Sequence, residues 1–409
     1  MCIVLLTTSH PKYALIIIDN RDEYILRPTS RPHWWTATSE TDPSVSIEVL
    51  SSRDLQRAEH GTWLGITKNG NFAVLTNYRE TDTHDAAHPV AGKRSRGGMV
   101  TAWLGADPSE TTEQFVKRLV NSGDVKGVGG FSLICGKLRK SPSQDSIEPL
   151  AIISNRADNS SQVPWICGAR GKTYGLSNAI YIDPSTTTTS DDSSQQQIWP
   201  KVQIGSDLLS ALANSDSATS QSEADLIDSL HKILDTDNFP PSREIDLEEG
   251  IPLLKDSIFI PAFGGKEHQD EMKAARSRGL KESEAEAEAA ETLMIAARPD
   301  DGVDLDAAAA ESHHHHHVHE YGEVPPNPGP NGFQTGLYGT QRQTVILVDW
   351  EGNVVFKERA LYDANGNPIE RGSQGGDMEF RFGIEGWEEN YLDSSKKANG
   401  FANGNGHAI

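Results

Sequence analysis

The 409-residue sequence is poor in cysteine, short of positive charge and without a long apolar run. Its three cysteines, Cys2, Cys135 and Cys167, are too few for a disulfide framework and lack metal-ligand spacing, which suits a reducing compartment. Against 59 Asp and Glu stand 37 Lys and Arg, a net charge of −22. A polyanion meets a repulsive mean field, so nucleic acid and anionic lipid are poor default partners, with KRSR at Lys93–Arg96 the local exception. The apolar stretch around Leu15–Ile18 is far shorter than the roughly 18 residues a membrane crossing requires, so no integral membrane segment is expected. The first residues have neither the basic region of a signal peptide nor the Arg-rich character of a transit peptide. A cytoplasmic protein is the expectation.

Two regions look unable to bury enough surface to offset chain entropy. Residues 265–335 contain AEAEAAET, DLDAAAAE, HHHHHVHE and VPPNPGPN, and residues 364–409 are rich in Gly, Asn, Asp and Glu. The expected organisation is one folded domain over 1–262 joined to 336–361, a disordered low-complexity insertion at 265–335, and a flexible tail at 364–409. The Ser/Thr/Gln run Ser185–Gln197 and the stretch Asn214–Ser222 read as surface loops.

The first 180 residues read mainly as strands. CIVLLTT and YALIIIDN flank a proline-containing turn, and TWLGIT and FAVLTNY flank an Asn69-Gly70 turn. GGFSLICGKL pairs with EPLAIISNRA, KTYGLSNAI adds a strand, and MVTAWL is another apolar run. Late strands are expected at Asp256–Pro261 and Thr344–Asp349, the second leading into a hairpin at Glu351–Asn353. Apolar residues at most strand positions imply sheets covered on both faces. Asp107–Glu110 carries the signature of a helix start, and Ile204–Leu212 and Glu223–Leu234 have helical periodicity. Strands, helices, then strands again predict a layered α+β or α/β/β/α domain.

Chemistry concentrates at the start. Removal of Met1 would leave Cys2 with a thiol and a free α-amine in one residue. Their reference pKa values, about 8.5 and roughly 7.7–8.0, let one take a proton from the other near neutrality. The competing reading is a buried core cysteine that behaves as a small hydrophobe. Asn20-Arg21-Asp22-Glu23 ends the second strand of the first hairpin and so comes near Cys2. Strand alternation points Asn20 and Asp22 one way and Arg21 and Glu23 the other. A guanidinium here would lower the Cys2 pKa, and an Asp could orient the amine. Asn77, Arg79, Arg96, Asn178 and Arg342 stand at the ends of apolar runs, where asparagine amides can stabilise an oxyanion but turn residues are also common.

These motifs, in order, resemble the NRDE family, also called the transport-and-Golgi-organisation protein 2 family. The resemblance runs through Met1-Cys2, NRDE at Asn20–Glu23, GTWLGIT at Gly61–Thr67, TNYR at Thr76–Arg79 and SRG at Ser95–Gly97. It continues through GFSLICG at Gly130–Gly136, YGLSN at Tyr174–Asn178, WPKV at Trp199–Val202 and YGTQRQTVILV at Tyr338–Val348. It implies a four-layer α/β/β/α sandwich similar to the N-terminal nucleophile hydrolases. By position the nucleophile would be Cys2, assisted by Arg21, Asp22, Asn77, Asn178 and Arg342. The chain departs from the acylase pattern in placing Arg21 directly beside Asp22, and from the family's own motif in the additional Gln341.

Family roles in Golgi organisation, protein secretion, mitochondrial lipid or acyl-CoA metabolism and haem trafficking imply a carrier. It would handle a small amphipathic ligand, haem as cargo or an acyl-CoA-like molecule, and require no cofactor. Its ligand-binding residues would be Asn20, Glu23, Trp63, Arg79 and Arg96, with Trp34 and Trp35 adding apolar area, and it would associate with Golgi or mitochondria. The alternative is an N-terminal cysteine hydrolase acting on an amide or thioester of a small acyl substrate. A third reading gives the acidic insertion the active role. No metal site is expected: His10, His33, His60, His84 and His88 read as surface residues and His313–His317 as low-complexity drift.

Overall fold

The computed structural model describes residues 2–39, 44–57, 59–77, 96–123, 125, 129–142, 145–183, 198–241, 245–280, 335–373 and 375–388. The chain begins in one sheet with β1 (Ile3–Thr7) and β2 (Tyr13–Tyr24). It passes to a second sheet for β3 (His33–Thr38), β4 (Ser46–Ser51), β5 (Leu64–Thr67), β6 (Asn71–Asn77), β7 (Phe131–Lys137), β8 (Leu150–Ser154) and β9 (Trp165–Ile166). It returns to the first with β10 (Thr173–Leu176), β11 (Tyr338–Asp349), β12 (Asn353–Ala360) and β13 (Asp377–Gly383). The first sheet runs β10-β1-β2-β11-β12-β13, and the second is a meander from β3 to β9. The pairings between these strands are antiparallel.

Each sheet is apolar on both faces because each face has a cover. Val4, Leu6, Leu15, Ile17, Ile346 and Phe356 meet Phe72, Val74 and Ile134 between the sheets. On the outer face of the second sheet, helices α1 (Gly97–Leu104) and α2 (Thr112–Asn121) bury Val100, Trp103, Phe115 and Leu119 against Ala73, Leu133 and Ile153. On the outer face of the first, α3 (Pro200–Ala213) and α4 (Glu223–Leu234) bury Leu209, Leu226 and Leu230 against Ile3, Ile16, Ile18 and Leu347. At roughly 1.5–3 kcal/mol per fully buried aliphatic or Phe side chain, these three interfaces dominate the folding free energy. The result is an α/β/β/α sandwich, the fold class expected from the strand and helix order.

Several local readings change. MVTAWL lies within a helix: Met99, Val100, Trp103 and Leu104 fall on one side of α1, and the apolar run is too short for its period to tell helix from strand. Asp107 does not start α2. It accepts from the Ser109 amide at 2.8 Å, while Thr111 and Gln114 form the capping box four residues later. Asp256–Pro261 is not a strand. Ile258 and Ile260 are buried, but the Phe259 amide bonds Thr236 at 2.8 Å and the Ile260 amide bonds the Thr340 hydroxyl at 2.8 Å, outside any ladder.

The insertion expected from 265 begins with order, because residues 266–280 are helical and bury Met272 and Ala275. Arg276 ties this helix to the Gly366 carbonyl at 2.9 and 3.1 Å. The tail expected from 364 is also folded as far as 388. β13 pairs with β12, and Trp387 is buried with its indole N–H on the Trp350 carbonyl at 3.0 Å. Met378, Phe380 and Phe382 alternate with polar residues, a strand signal diluted by the Gly/Asn-rich average around it. Residues 281–334, 389–409 and 184–197 lie outside the described residues.

Candidate functional site

The first hairpin pairs Ile3 with Asn20, and one more step of that register sets Cys2 across from Arg21. Alternation puts the Cys2 side chain on the inter-sheet face with Val4 and Leu6. Its carbonyl accepts from the Ser177 hydroxyl at 2.7 Å, and the residue is 6% exposed. Burial pushes the thiol up to about 11, Asp19 and Asp22 adding to the rise and Arg21 opposing it.

NRDE lies inside β2 rather than in a solvated turn, because β11 flanks it on the side away from β1. Asn20 faces the helices, donating to the carbonyls of Leu234 at 2.8 Å and Ile258 at 3.0 Å. Arg21 faces the other sheet. One Nη donates to the Gln341 side chain, and the guanidinium stacks 4.3 Å from the Trp63 ring centroid. Asp22 returns to the helical side, accepts from the Thr340 hydroxyl at 2.7 Å and stands 3.9 Å from Lys201 Nζ. Burial raises its carboxyl, with Lys201 the strongest opposing charge. Glu23 accepts from the Tyr24 amide at 3.0 Å and pairs with Arg27 at 3.8 Å. The adjacent Arg21 and Asp22 thus occupy opposite faces, yet both act on Cys2.

Gln341 has a structural place. β2 pairs Asp22 with Thr340 but Arg21 with Arg342, so Gln341 is the extra residue of a β-bulge. Its side chain accepts from Arg21 and donates to the carbonyls of Ile25 at 3.1 Å and Arg27 at 3.0 Å. The bulge keeps Arg342 in register with Arg21. Arg342 is 5% exposed and donates through Nη2 to Thr29 Oγ1 at 2.9 Å. Burial lowers it to about 10, opposed by Glu358. Beside it Asp19, Thr344 and Glu358 stand opposite one another on three neighbouring strands, and Ser52, the residue after β4, donates to Glu358 at 2.7 Å. Burial, reinforced by Asp22, raises the Asp19 carboxyl well above the usual range.

Asn178 and Asn77 meet where β10 and β6 end, the Asn178 amide donating to the Asn77 carbonyl. At this junction the Asn77 backbone oxygen is the acceptor. Ser177 links the pair to Cys2, bonding the Cys2 carbonyl and Asn178 Oδ1 at 3.2 Å. Arg96 precedes α1 and donates to the Gly130 carbonyl at 3.3 Å. Burial lowers its pKa, while Glu23 and Cys2 oppose the fall. GTW and SRG meet through their glycines: a Cβ on Gly61 would lie 2.9 Å from the Gly97 carbonyl carbon, so this approach needs glycine. Arg79, His84 and His88 lie outside the described residues.

The structure thus gathers Cys2, Arg21, Asp22, Asn178, Arg96 and Trp63 at one end of the sandwich and directs Asn20 away to the helices. Sequence reasoning missed Asp19, Thr344, Glu358, Ser177 and Lys201. Stepping by two from Arg21 reaches Asp19, and WPKV contains Lys201, but their convergence depends on strand order. Among the described residues no group of three or more His, Cys, Asp or Glu could hold a metal ion, and no helix is long and apolar enough to cross a membrane.

The family model described as Transport and Golgi organisation 2 matches residues 1–363. The Transport and Golgi organization protein 2 homolog of Bos taurus is 32% identical over 190 residues, 45% of this chain and 59% of that protein. Its Homo sapiens counterpart is 30% identical over the same shares. The chain thus spans 59% of the length of these curated relatives. A mutant of conjugated bile acid hydrolase from Clostridium perfringens aligns over 93% of this chain and 96% of its own, at 9% identity and a TM-score of 0.29. With the family model spanning most of its length, the chain belongs to the Transport and Golgi organisation 2 family.

Proposed function

We propose that the protein is a cysteine-dependent acyl hydrolase that acts on a thioester or amide of a small acyl group. The supporting observation is the convergence on Cys2 of Arg21 and Asp22 from β2, Arg96 from the start of α1 and Asn178 from the end of β10. Cys2 Sγ attacks the acyl carbon, and an Asn178 N–H turned from the Asn77 carbonyl supports the developing oxyanion. The leaving thiol or amine departs with a proton, and water then releases the acid from Cys2. Arg21 and Arg96 supply positive charge that favours the thiolate. The α-amine base expected from the sequence requires removal of Met1, which lies outside the described residues.

The test is incubation with short acyl thioesters and amides, read by intact mass and peptide mapping. A Cys2-linked acyl adduct and acid release that vanish in Cys2→Ala support the reading. Full release by Cys2→Ala, or no adduct in the unmodified chain, overturns it.

The second reading is a trafficking carrier that holds haem or an acyl-CoA-like amphipath in the same region. The burial of Cys2, with its thiol pushed up to about 11, favours holding over turnover. It requires saturable binding that survives Cys2→Ser. On either reading we place the protein in the cytoplasm, at Golgi or mitochondrial surfaces, which its three free cysteines suit.

A further inference from the structure

The inter-sheet face of the first sheet changes character toward the Cys2 end. Ile17, Ile346 and Phe356 lie across from one another in a register row that belongs to the core. Two residues along, the next row on that face is Asp19, Thr344 and Glu358. The row after it sets Arg342 across from Arg21, and one further step of the β1 register adds Cys2. Two polar rows therefore adjoin the thiol on its own side of the sheet.

Asp19, Thr344, Glu358 and Arg342 are between 1% and 5% exposed. Both carboxyl oxygens of Asp19, Thr344 Oγ1 and Glu358 Oε1 have no hydrogen-bond partner among the described residues, and the same holds for Arg342 Nε and Nη1. Ser52 takes the other Glu358 oxygen at 2.7 Å, and Thr29 takes Arg342 Nη2 at 2.9 Å. Native proteins leave roughly a few buried polar groups per 100 residues unmet, so this concentration in two adjoining rows marks a place made for a partner.

The rows differ in sign. Asp19 and Glu358 offer oxygens from either side of the Thr344 hydroxyl, and three acceptors suit the three N–H groups of a primary ammonium. One row on, about 6.8 Å along the strands, Arg342 offers N–H donors to a carboxylate. A ligand end with both groups on one carbon spans the rows. A simple amine leaves Arg342 unmet, and a simple carboxylate leaves the acidic row unmet. Cys2 stands two strand spacings from Arg342, about 10 Å between Cα atoms, so its acyl carbon lies a few bonds from that end.

We propose that Asp19, Thr344, Glu358 and Arg342 form a specificity site beside Cys2 for an α-amino-acid end, the group cleaved being the side-chain acyl of an acidic amino acid. The inference rests on the acyl-hydrolase reading and keeps its bonds. Cys2 Sγ bonds to the side-chain carbonyl carbon, the amine or thiol leaves with a proton, and water releases the side-chain acid. An ammonium beside Asp19 also opposes the burial and the Asp22 charge that raise its carboxyl.

The experiment has two parts. Calorimetry follows L-glutamate, the released acid, binding to the Cys2→Ala chain, with glutarate and 4-aminobutyrate as probes that each lack one group. Glutamate should bind saturably and more tightly than either by about tenfold or more, and Asp19→Asn, Glu358→Gln and Arg342→Gln should each weaken it by about tenfold or more. Thr344→Val, which keeps the volume and removes one acceptor, gives the same readout should the charge variants fail to fold. In the unmodified chain, kcat/KM for γ-glutamyl p-nitroanilide should exceed that for the glutaryl and 4-aminobutyryl anilides by a similar factor.

No glutamate binding, equal binding of the three acids, or binding untouched by the four substitutions overturns the site. Turnover of simple acyl thioesters without glutamate binding sinks the site and leaves the hydrolase reading intact. Glutamate binding that needs these residues, with no turnover of any acyl probe, sinks the hydrolase reading and keeps the site.

Discussion

Asn20 opens the NRDE motif, and its geometry predicts a structural role. Its amide donates at 2.8 Å to Leu234 and at 3.0 Å to Ile258, and the residue is 0% exposed. Leu234 ends α4, where the last carbonyls have no intrahelical partner. Ile258 lies in a segment outside any ladder. Asn20→Ala leaves both carbonyls buried and unpaired, at roughly 1–3 kcal/mol each. It also removes Asn20 Oδ1, which has no partner among the described residues, and that returns about 1 kcal/mol. The expected net loss is about 1–5 kcal/mol, read from the guanidinium midpoint at constant slope. Alkylation of Cys2 in the folded fraction should stay within about twofold, since a thiolate-stabilising charge is not touched. Asn20→Asp should be at least as damaging, because it faces two carbonyls with a third acceptor. A loss under about 1 kcal/mol would refute the clamp. So would intact stability with lost Cys2 reactivity, which would return Asn20 to the ligand side.

Trp387→Ala should cost about 3–5 kcal/mol in denaturant unfolding, since the ring is buried and holds the Trp350 carbonyl; no loss would mean that the segment after β12 is not part of the core. Gly61→Ala should destabilise by about 1–3 kcal/mol and reduce acyl-adduct formation by displacing the start of α1, whereas Gly98→Ala, with nothing within 4 Å of the new methyl, should be neutral or slightly stabilising in the same assays. His231 is held neutral by burial down to about pH 4 from an ordinary 6.5, so between those values the unfolded chain takes a proton that the folded one refuses, and stability falls as pH falls. Asp19 and Asp22, with raised carboxyls, contribute in the opposite sense over the acid range, and His231→Gln isolates the histidine: its stability curve should lose about 1.4 kcal/mol per pH unit of slope within that window.

Much was legible from local pattern. Alternating or continuous apolar runs mark the hairpins around Asn69-Gly70 and Gly352, where positive φ favours glycine, and Glu223–Leu234 is a helix with the bounds its periodicity suggests. The opposite facing of Arg21 and Asp22 follows from strand geometry alone. Short apolar runs were ambiguous: MVTAWL has too few residues to fix its period, and Asp107 competes with Thr111 as a cap. Regional composition concealed the helix over 266–280 and β13, because a few buried side chains in a polar stretch barely change its average.

The sequence by itself determined the layers, since strands apolar on both faces require two covers, and it determined that Asn20 and Asp22 share one side of β2 and Arg21 and Glu23 the other. Only the tertiary structure decided what those residues meet. Placing β11, more than 300 residues downstream, beside β2 makes Gln341 a bulge that holds Arg21 and keeps Arg342 in register. Packing α3 on the outer face brings Lys201 to Asp22. Such partners are set by strand order and helix docking, long-range contacts that no local period encodes.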